Sequence, residues 1–286
     1  MPAIVLVNGL IPHDAGKTWF TLSLAKSLMD RGLNISVYKP VAGHSAWYQF
    51  QTVLNSLKYG ILVGEDVVKY IEVLGLNLDF ELINPLDILL APPDPRIYKN
   101  MVEYLGALED QFKQVVLFRI SNYKGKVNDH YVVVDNVDNV VFGLKKWINE
   151  LAEKLKAKSI SLSELIKLMY SKKTLEVLDY NLDLMLNKHD VVIVESFNDA
   201  AIPYYNLLEK VDVVFTVAPG YVYVINAMSF KSTVKEYYLK YGDLGLKMSN
   251  IMGKVKVISS KYLAPARSPL EQSIDLDLID TITSLL

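Results

Sequence analysis

The residues best suited to chemistry in this chain are Gly16-Lys17-Thr18. They follow an apolar, β-branched run, Ile4-Val5-Leu6-Val7, and a loop, Asn8-Gly9-Leu10-Ile11-Pro12-His13-Asp14-Ala15. After them Leu22, Ala25 and Leu28 recur at helical spacing. Strand, loop, Gly-Lys-Thr and helix is the context that a phosphate-binding loop requires. Main-chain N–H groups at a helix start point into the loop, and the helix dipole favours an anion there. Lys17 would supply a compact cation for β- and γ-phosphates, and the Thr18 hydroxyl would ligate Mg²⁺. Asp14, Ala15, Gly16, Lys17, Thr18 and Trp19 form the run expected to touch a nucleotide. The usual pattern puts a glycine five residues before Gly16, where Ile11 stands; Gly9 lies two residues earlier, so this loop is longer. The competing reading is a strand-to-helix turn carrying Gly-Lys-Thr by chance.

A site of this kind needs a carboxylate for its divalent ion at the carboxyl end of a neighbouring strand. Glu195 closes the aliphatic run Val191-Val192-Ile193-Val194 and fits that position, against the alternative of an ordinary strand-end acid. Lys39 ends a second strand, where it would neutralise a γ-phosphate, hold an anionic substrate, or simply be solvated. Asp66, in Gly64-Glu65-Asp66 before a helix, reads by itself as a helix N-cap. His13 and Asp14 lie inside the loop, within reach of phosphates or substrate. Of the four histidines only His13 and His44 fall near the proposed site, which argues against a His-rich metal centre.

The elements that must position these groups alternate between strand and helix. Arg31-Gly32-Leu33-Asn34 ends the first helix, with Gly32 suited to the C′ position. Ile35 to Val41 is a second strand, parallel to the first through a right-handed crossover. Helices are expected from Tyr48 to Leu57 and from Val67 to Leu74, and the proline-rich stretches around Pro85 and from Ala91 to Pro95 are irregular. Val115 to Ile120 and Tyr131 to Val134 flank the turn-forming Asn122-Tyr123-Lys124-Gly125, and Val140-Val141-Phe142 offers a third short strand. Residues 111–145 therefore read as a β-hairpin insertion within one domain, 1–286.

Trp147, Ile148, Leu151 and Leu155 share a helical face. Ser161-Leu162-Ser163-Glu164 fits a capping box before a helix over Leu165 to Met169, and Leu175 to Leu186 is a further amphipathic stretch. Asp190 to Glu195 reads as a central strand and Val211 to Val217 as the next. A helix is expected from Val224 to Tyr238, a short strand from Val255 to Ile258 and a closing helix from Ile274 to Leu286.

Composition narrows the functional classes. The 286 residues are 51% hydrophobic, enough for a sizeable core. Thirty Lys and Arg against thirty-two Asp and Glu give a formal net charge of -2, which offers nothing to nucleic acid or an anionic membrane. The absence of cysteine excludes disulfides, thiolate chemistry and Cys-ligated zinc. Met1-Pro2-Ala3 lacks a basic leader, and no apolar run reaches membrane-spanning length, so a soluble, cytoplasmic protein is expected.

These residues, in this order, resemble the dethiobiotin synthetase-like P-loop NTPases, a SIMIBI-type family. Gly16-Lys17-Thr18 matches its phosphate-binding loop, and Tyr38-Lys39-Pro40-Val41 its second strand end. Gly64-Glu65-Asp66-Val67 stands where the family has an Asp before a short helix. Ile83-Asn84-Pro85, Ala91-Pro92-Pro93-Asp94-Pro95, Val194-Glu195 and Ile225-Asn226-Ala227-Met228 continue the order over most of the chain.

The resemblance implies an α/β fold of the P-loop NTPase type, three-layer α/β/α with a mostly parallel sheet and the β-rich insertion. It implies ATP and Mg²⁺ as cofactors, with Lys17, Thr18 and the Gly16 amide on phosphates and Lys39 facing γ-phosphate or substrate. Thr18, Asp66 and Glu195 would bind the metal. The activity implied is an ATPase or an ATP-dependent cyclo-ligase acting on an unidentified small molecule. True dethiobiotin synthetase would carboxylate and close a diamine; a non-catalytic binding module is the other alternative. A homodimer is also raised, since the related enzymes share substrate sites across an interface. Two departures stand out: Ser196-Phe197-Asn198-Asp199 replaces the family's Gly-Ala-Gly-Gly, and the Asn that reads adenine has no counterpart.

Overall fold

The computed structural model describes residues 2–242 and 245–286 and shows an α/β protein with mixed sheets. Its strands are β1 (Ala3–Gly9), β2 (Ile35–Tyr38), β3 (Val41–Ser45), β4 (Leu86–Leu90), β5 (Val115–Asn122), β6 (Val127–Val133), β7 (Lys158–Ile160), β8 (Val191–Glu195), β9 (Val213–Ala218), β10 (Tyr221–Ile225) and β11 (Val257–Tyr262). The helices are α1 (Lys17–Met29), α2 (Gln51–Tyr59), α3 (Glu65–Leu74), α4 (Phe80–Ile83), α5 (Met101–Glu109), α6 (Val134–Val137), α7 (Phe142–Lys154), α8 (Leu162–Met169), α9 (Lys172–Leu186), α10 (Ala227–Tyr241), α11 (Met248–Ile251) and α12 (Leu276–Thr283). None of the described helices is long and apolar enough to cross a membrane.

The chain divides into two compact units. The first comprises Met1–Pro40, Tyr70–Asn77 and Asp179–Leu286, the second Val41–Lys69 and Leu78–Leu178.

The first unit holds a six-stranded sheet in the order β11-β10-β9-β1-β8-β2. β2, β8, β1 and β9 are parallel, and β10 and β11 extend them antiparallel. The expected mostly parallel sheet is thus a parallel core with an antiparallel flank. Every residue of β1, β8 and β9 is buried, which is why these strands read as unbroken apolar runs rather than alternating ones. Phe20, Leu24 and Leu28 of α1 pack on Val5, Val7 and Ile193, together with Leu278 and Ile282 of α12. Phe20 meets the Phe215 ring edge-on, with centroids 5.5 Å apart. Burying a ring of that size contributes about 2 to 3 kcal/mol.

Two sequence expectations change here. Tyr221 to Ile225 is a strand, so the helix expected from Val224 begins only at Ala227, where the Asn226 side chain caps it by accepting from Ser229 N at 2.9 Å. The hairpin turns at Gly220, whose φ of 80° suits glycine. The second strand stops at Tyr38, because Pro40 cannot donate to a ladder and Val41 opens a strand of the other sheet.

The second unit is built on a five-stranded sheet, β3-β4-β5-β6-β7. The hairpin expected within 111–145 is its β5–β6 pair, held by β4 on one side and β7 on the other. The third strand expected at Val140 does not form. Val140 makes a single bridge to Pro93, and Phe142 starts α7, which packs Leu144, Ile148 and Leu151 on Val116 and Leu117. The Ser161–Glu164 capping box is present at the start of α8.

Candidate functional site

The parallel order of β1, β8 and β2 brings three separate segments to one edge of the first sheet. Val7 is in register with Glu195, and Tyr38 with Val194, so Gly9, Glu195 and Lys39 emerge side by side at the carboxyl ends of neighbouring strands. Such strands lie about 4.8 Å apart, close enough for direct side-chain pairing. Helix α1 starts over the same edge. Gly16 is its N-cap at φ 90°, a left-handed conformation that leaves the first amides of the helix pointing outward.

The side chains converge on one carboxylate. Thr18 Oγ1 donates to Glu195 Oε1 at 2.9 Å, and Lys39 Nζ donates to the same oxygen at 2.9 Å. Lys39 is 4% exposed and Glu195 fully buried, so this ion pair lies out of water. Glu195 Oε2 is equally buried and, among the described residues, accepts no hydrogen bond. A buried carboxylate oxygen without a donor is costly unless something else compensates it. Just before Lys39, burial pushes the Tyr38 hydroxyl well above its ordinary range, helped by Tyr204, Asp179 and Asp183.

Lys17 occupies a separate seat. Its Nζ donates to the Asn198 carbonyl at 2.7 Å. A Cβ at Gly9 would stand 3.0 Å from that ammonium, 3.1 Å from Ala15 Cβ and 3.2 Å from Asn198 O. The glycine that sequence comparison finds two residues too early is therefore the one that makes room for the lysine head. Asn8, buried at the end of β1, anchors the same region: its amide donates to Ala201 O at 2.9 Å and accepts from Thr216 Oγ1 at 2.7 Å.

Of the residues singled out from sequence, the structure brings Lys17, Thr18, Lys39 and Glu195 into this cluster, with Gly16 capping the helix above it. Asp14, in a left-handed conformation at φ 53°, lies with His13 on the exposed stretch of the loop; Ala15 is buried and Trp19 half-buried. Asp66 lies in the second unit, as the second residue of α3 and not at its N-cap. His44 also belongs to the second unit, where it is buried between Asp87 and Thr52, both at 2.7 Å. Among the described residues no group of three or more His, Cys, Asp or Glu could hold a metal ion. A site of the Mg²⁺ type does not need one, since that ion takes one or two protein oxygens and fills its shell with phosphate and water. Thr18 and Glu195 carry hard oxygen donors of that kind, and Oε2, buried without a donor, is the oxygen that an ion or its water would compensate. Sequence reasoning missed the Asn198 carbonyl and the role of Gly9, which depend on a fold-back of the 196–200 segment that no periodicity reveals.

No family model, no curated protein and no solved structure matches this chain.

Proposed function

We propose that this protein is a P-loop NTPase that binds a Mg²⁺-nucleotide, ATP by the sequence reading, and cleaves or transfers its terminal phosphoryl group. The observation that carries the proposal is the convergence of Thr18 and Lys39 on Glu195 Oε1, with Oε2 buried and left without a donor, at the start of the helix that carries Lys17. Lys17 and the first amides of α1 would hold the β- and γ-phosphates, as cations and helix N-termini do for anions. Thr18 and Glu195 would hold Mg²⁺, which when bound screens the phosphate charge. Lys39 fixes the orientation of Glu195 and sets a second positive charge near the terminal phosphate. Catalysis here rests on positioning and charge neutralisation, the terms that dominate phosphoryl transfer.

The reading stops short of diamine carboxylation. The family's small glycine-rich turn after the acidic strand is Ser196-Phe197-Asn198-Asp199 here, and Asn198 already contacts Lys17. Isothermal titration calorimetry with Mg-ATP tests the reading. Saturable binding is expected in the wild type, weakened about a hundredfold in Lys17→Ala, in line with the loss of a buried charge-assisted contact. Chelating Mg²⁺ is expected to weaken binding as well. Equal affinity in the wild type and Lys17→Ala would reject it.

A further inference from the structure

The turn after Glu195 carries a charged group that the mechanism above leaves unused. Ser196 N donates to Val7 O at 2.9 Å and Ala200 N to Phe197 O at 3.0 Å, which closes the turn. The Asp199 carbonyl accepts from Met248 N at 2.7 Å, so the segment is tied down from both sides. Asn198 sits at φ 43°, and this left-handed conformation aims its carbonyl at Lys17 Nζ, 2.7 Å away.

That contact places the next residue. No described peptide is cis. Across a trans peptide the carbonyl oxygen and the following Cα are about 2.8 Å apart. Asp199 Cα therefore lies within about 5.5 Å of the Lys17 ammonium, at the phosphate end of the cradle. Asp199 is 7% exposed, yet among the described residues its carboxylate has neither a hydrogen bond nor an ion pair. Its oxygens are not fully buried, so the carboxylate of this otherwise enclosed residue meets solvent and can take a water. Lys17 does not supply a donor, because its head is turned to the peptide carbonyl. Lys39 does not either, because it is spent on Glu195.

Resting on the nucleotide reading, we infer that Asp199 is a catalytic residue: it orients the water that attacks the terminal phosphoryl group and accepts its proton. The water oxygen forms a bond to the γ-phosphorus. The bond from that phosphorus to the β–γ bridging oxygen breaks, and its electron pair leaves with the nucleoside diphosphate. The proton passes from the water to the Asp199 carboxylate and from there to solvent. Glu195 is unsuited to this step, since Thr18 and Lys39 take one of its oxygens and the other serves the metal. The inference makes the protein a hydrolase, with water as the acceptor, and gives the turn that displaces the family's glycines a chemical task.

Asp199→Asn and Asp199→Glu test it, with Mg-ATP affinity by calorimetry, phosphate release and the pH dependence of kcat measured on each. Asp199→Asn is expected to bind Mg-ATP within about threefold of the wild type and to lose about a hundredfold in kcat, the lower range for a general base. It is also expected to lose the acidic limb of the kcat profile. Should Asp199→Asn fail to fold, Asp199→Glu decides: a kcat at least about tenfold lower supports the role, and an unchanged kcat and pH limb overturn it. A wild type that binds Mg-ATP but releases no phosphate, or an Asp199→Asn variant that turns over normally, overturns the inference and leaves the nucleotide reading standing. A wild type that does not bind Mg-ATP removes both.

Discussion

Each unit of this protein buries charge, and the two do so in opposite ways. In the second unit Asp87, Arg119 and His130 stand in register across β4, β5 and β6. Asp87 takes His44 on one oxygen and the Gly64 amide on the other, at 2.7 and 3.1 Å. Arg119, fully buried, donates from Nε to Leu62 O and from its two amino groups to Asn84 and Ser121. His130 Nε2 accepts from Leu62 N at 3.2 Å. None of these four side chains leaves a buried polar atom without a partner. In the first unit Glu195 Oε2 is buried without a partner, and the Asp199 carboxylate, which is not fully buried, makes no hydrogen bond or ion pair among the described residues. A closed network specifies structure, because each member has spent its bonding capacity on the fold. Carboxylates left short of donors belong where a ligand will supply them.

The largest effect should come from opening the closed network. Arg119→Met is expected to destabilise the protein by about 3 to 5 kcal/mol in urea unfolding, because it strands Asn84, Ser121 and the Leu62 carbonyl in the interior and removes the positive charge that favours the Asp87 carboxylate. A loss below about 1 kcal/mol would break the contrast, showing that the network is dispensable.

Acid should open the same network more gently. Burial and the neighbouring Arg119 charge depress the His130 ring from 6.5 to about 4, with Asp87 and Asp129 only partly offsetting them. The unfolded ring takes up its proton as the pH falls through 6.5, whereas the folded one resists until about 4. The unfolded state thus binds more protons over that interval, and stability should fall by up to about 3 kcal/mol on acidification across it. Asp87 adds a decline at lower pH: burial alone would raise its carboxyl, but His44, Arg119 and the Gly64 amide together hold it below the ordinary range. His130→Gln, whose amide oxygen can still accept from Leu62 N, should flatten the stability curve between pH 6.5 and 4 while leaving the steeper loss below it.

Further effects should sharpen the other side of the comparison. Glu195→Gln keeps a carbonyl for Thr18 but removes the charge paired with the buried Lys39 ammonium, so a loss of thermal stability on the order of 3 kcal/mol is expected. The same variant should lose the Mg²⁺ dependence of nucleotide binding. A drop in stability with that dependence intact would place Glu195 with the structural charges of the second unit. Gly9→Ala presses a methyl on the Lys17 ammonium and on a main-chain carbonyl together. It is expected to weaken Mg-ATP binding about tenfold, or roughly 1.4 kcal/mol, by calorimetry.

Much of the first unit was legible because fully buried parallel strands advertise themselves as continuous β-branched runs, as at Ile4–Val7 and Val191–Val194. Lys17, Thr18 and Glu195 were legible for the same reason, since each stands where such a run ends or its helix begins. Strand order was not: no periodicity says that β8 lies between β1 and β2, and that insertion alone brings Lys39 to Glu195. Val224 and Ile225 read as the start of a helix because they merge with the apolar residues of α10, although Gly220 and the Asn226 cap bracket a short strand. β3 and β4 escaped notice as well; the former is Val-Ala-Gly-His-Ser, a sequence with little intrinsic preference for extended chain. Nothing in the sequence marks Asp87 and Arg119 as buried, because their partners are scattered over residues 44 to 121.

The route of the chain has a consequence for biosynthesis. A nascent polypeptide that has emerged through Leu178 contains everything the second unit needs, but of the first unit only β1, α1, β2 and the Tyr70–Asn77 segment. Both of β1's sheet neighbours, β8 and β9, are translated later still. Until they arrive, this apolar strand, buried along its whole length in the folded protein, waits on the ribosome with two open edges, and that interval is when chaperone capture or misassembly would act on it.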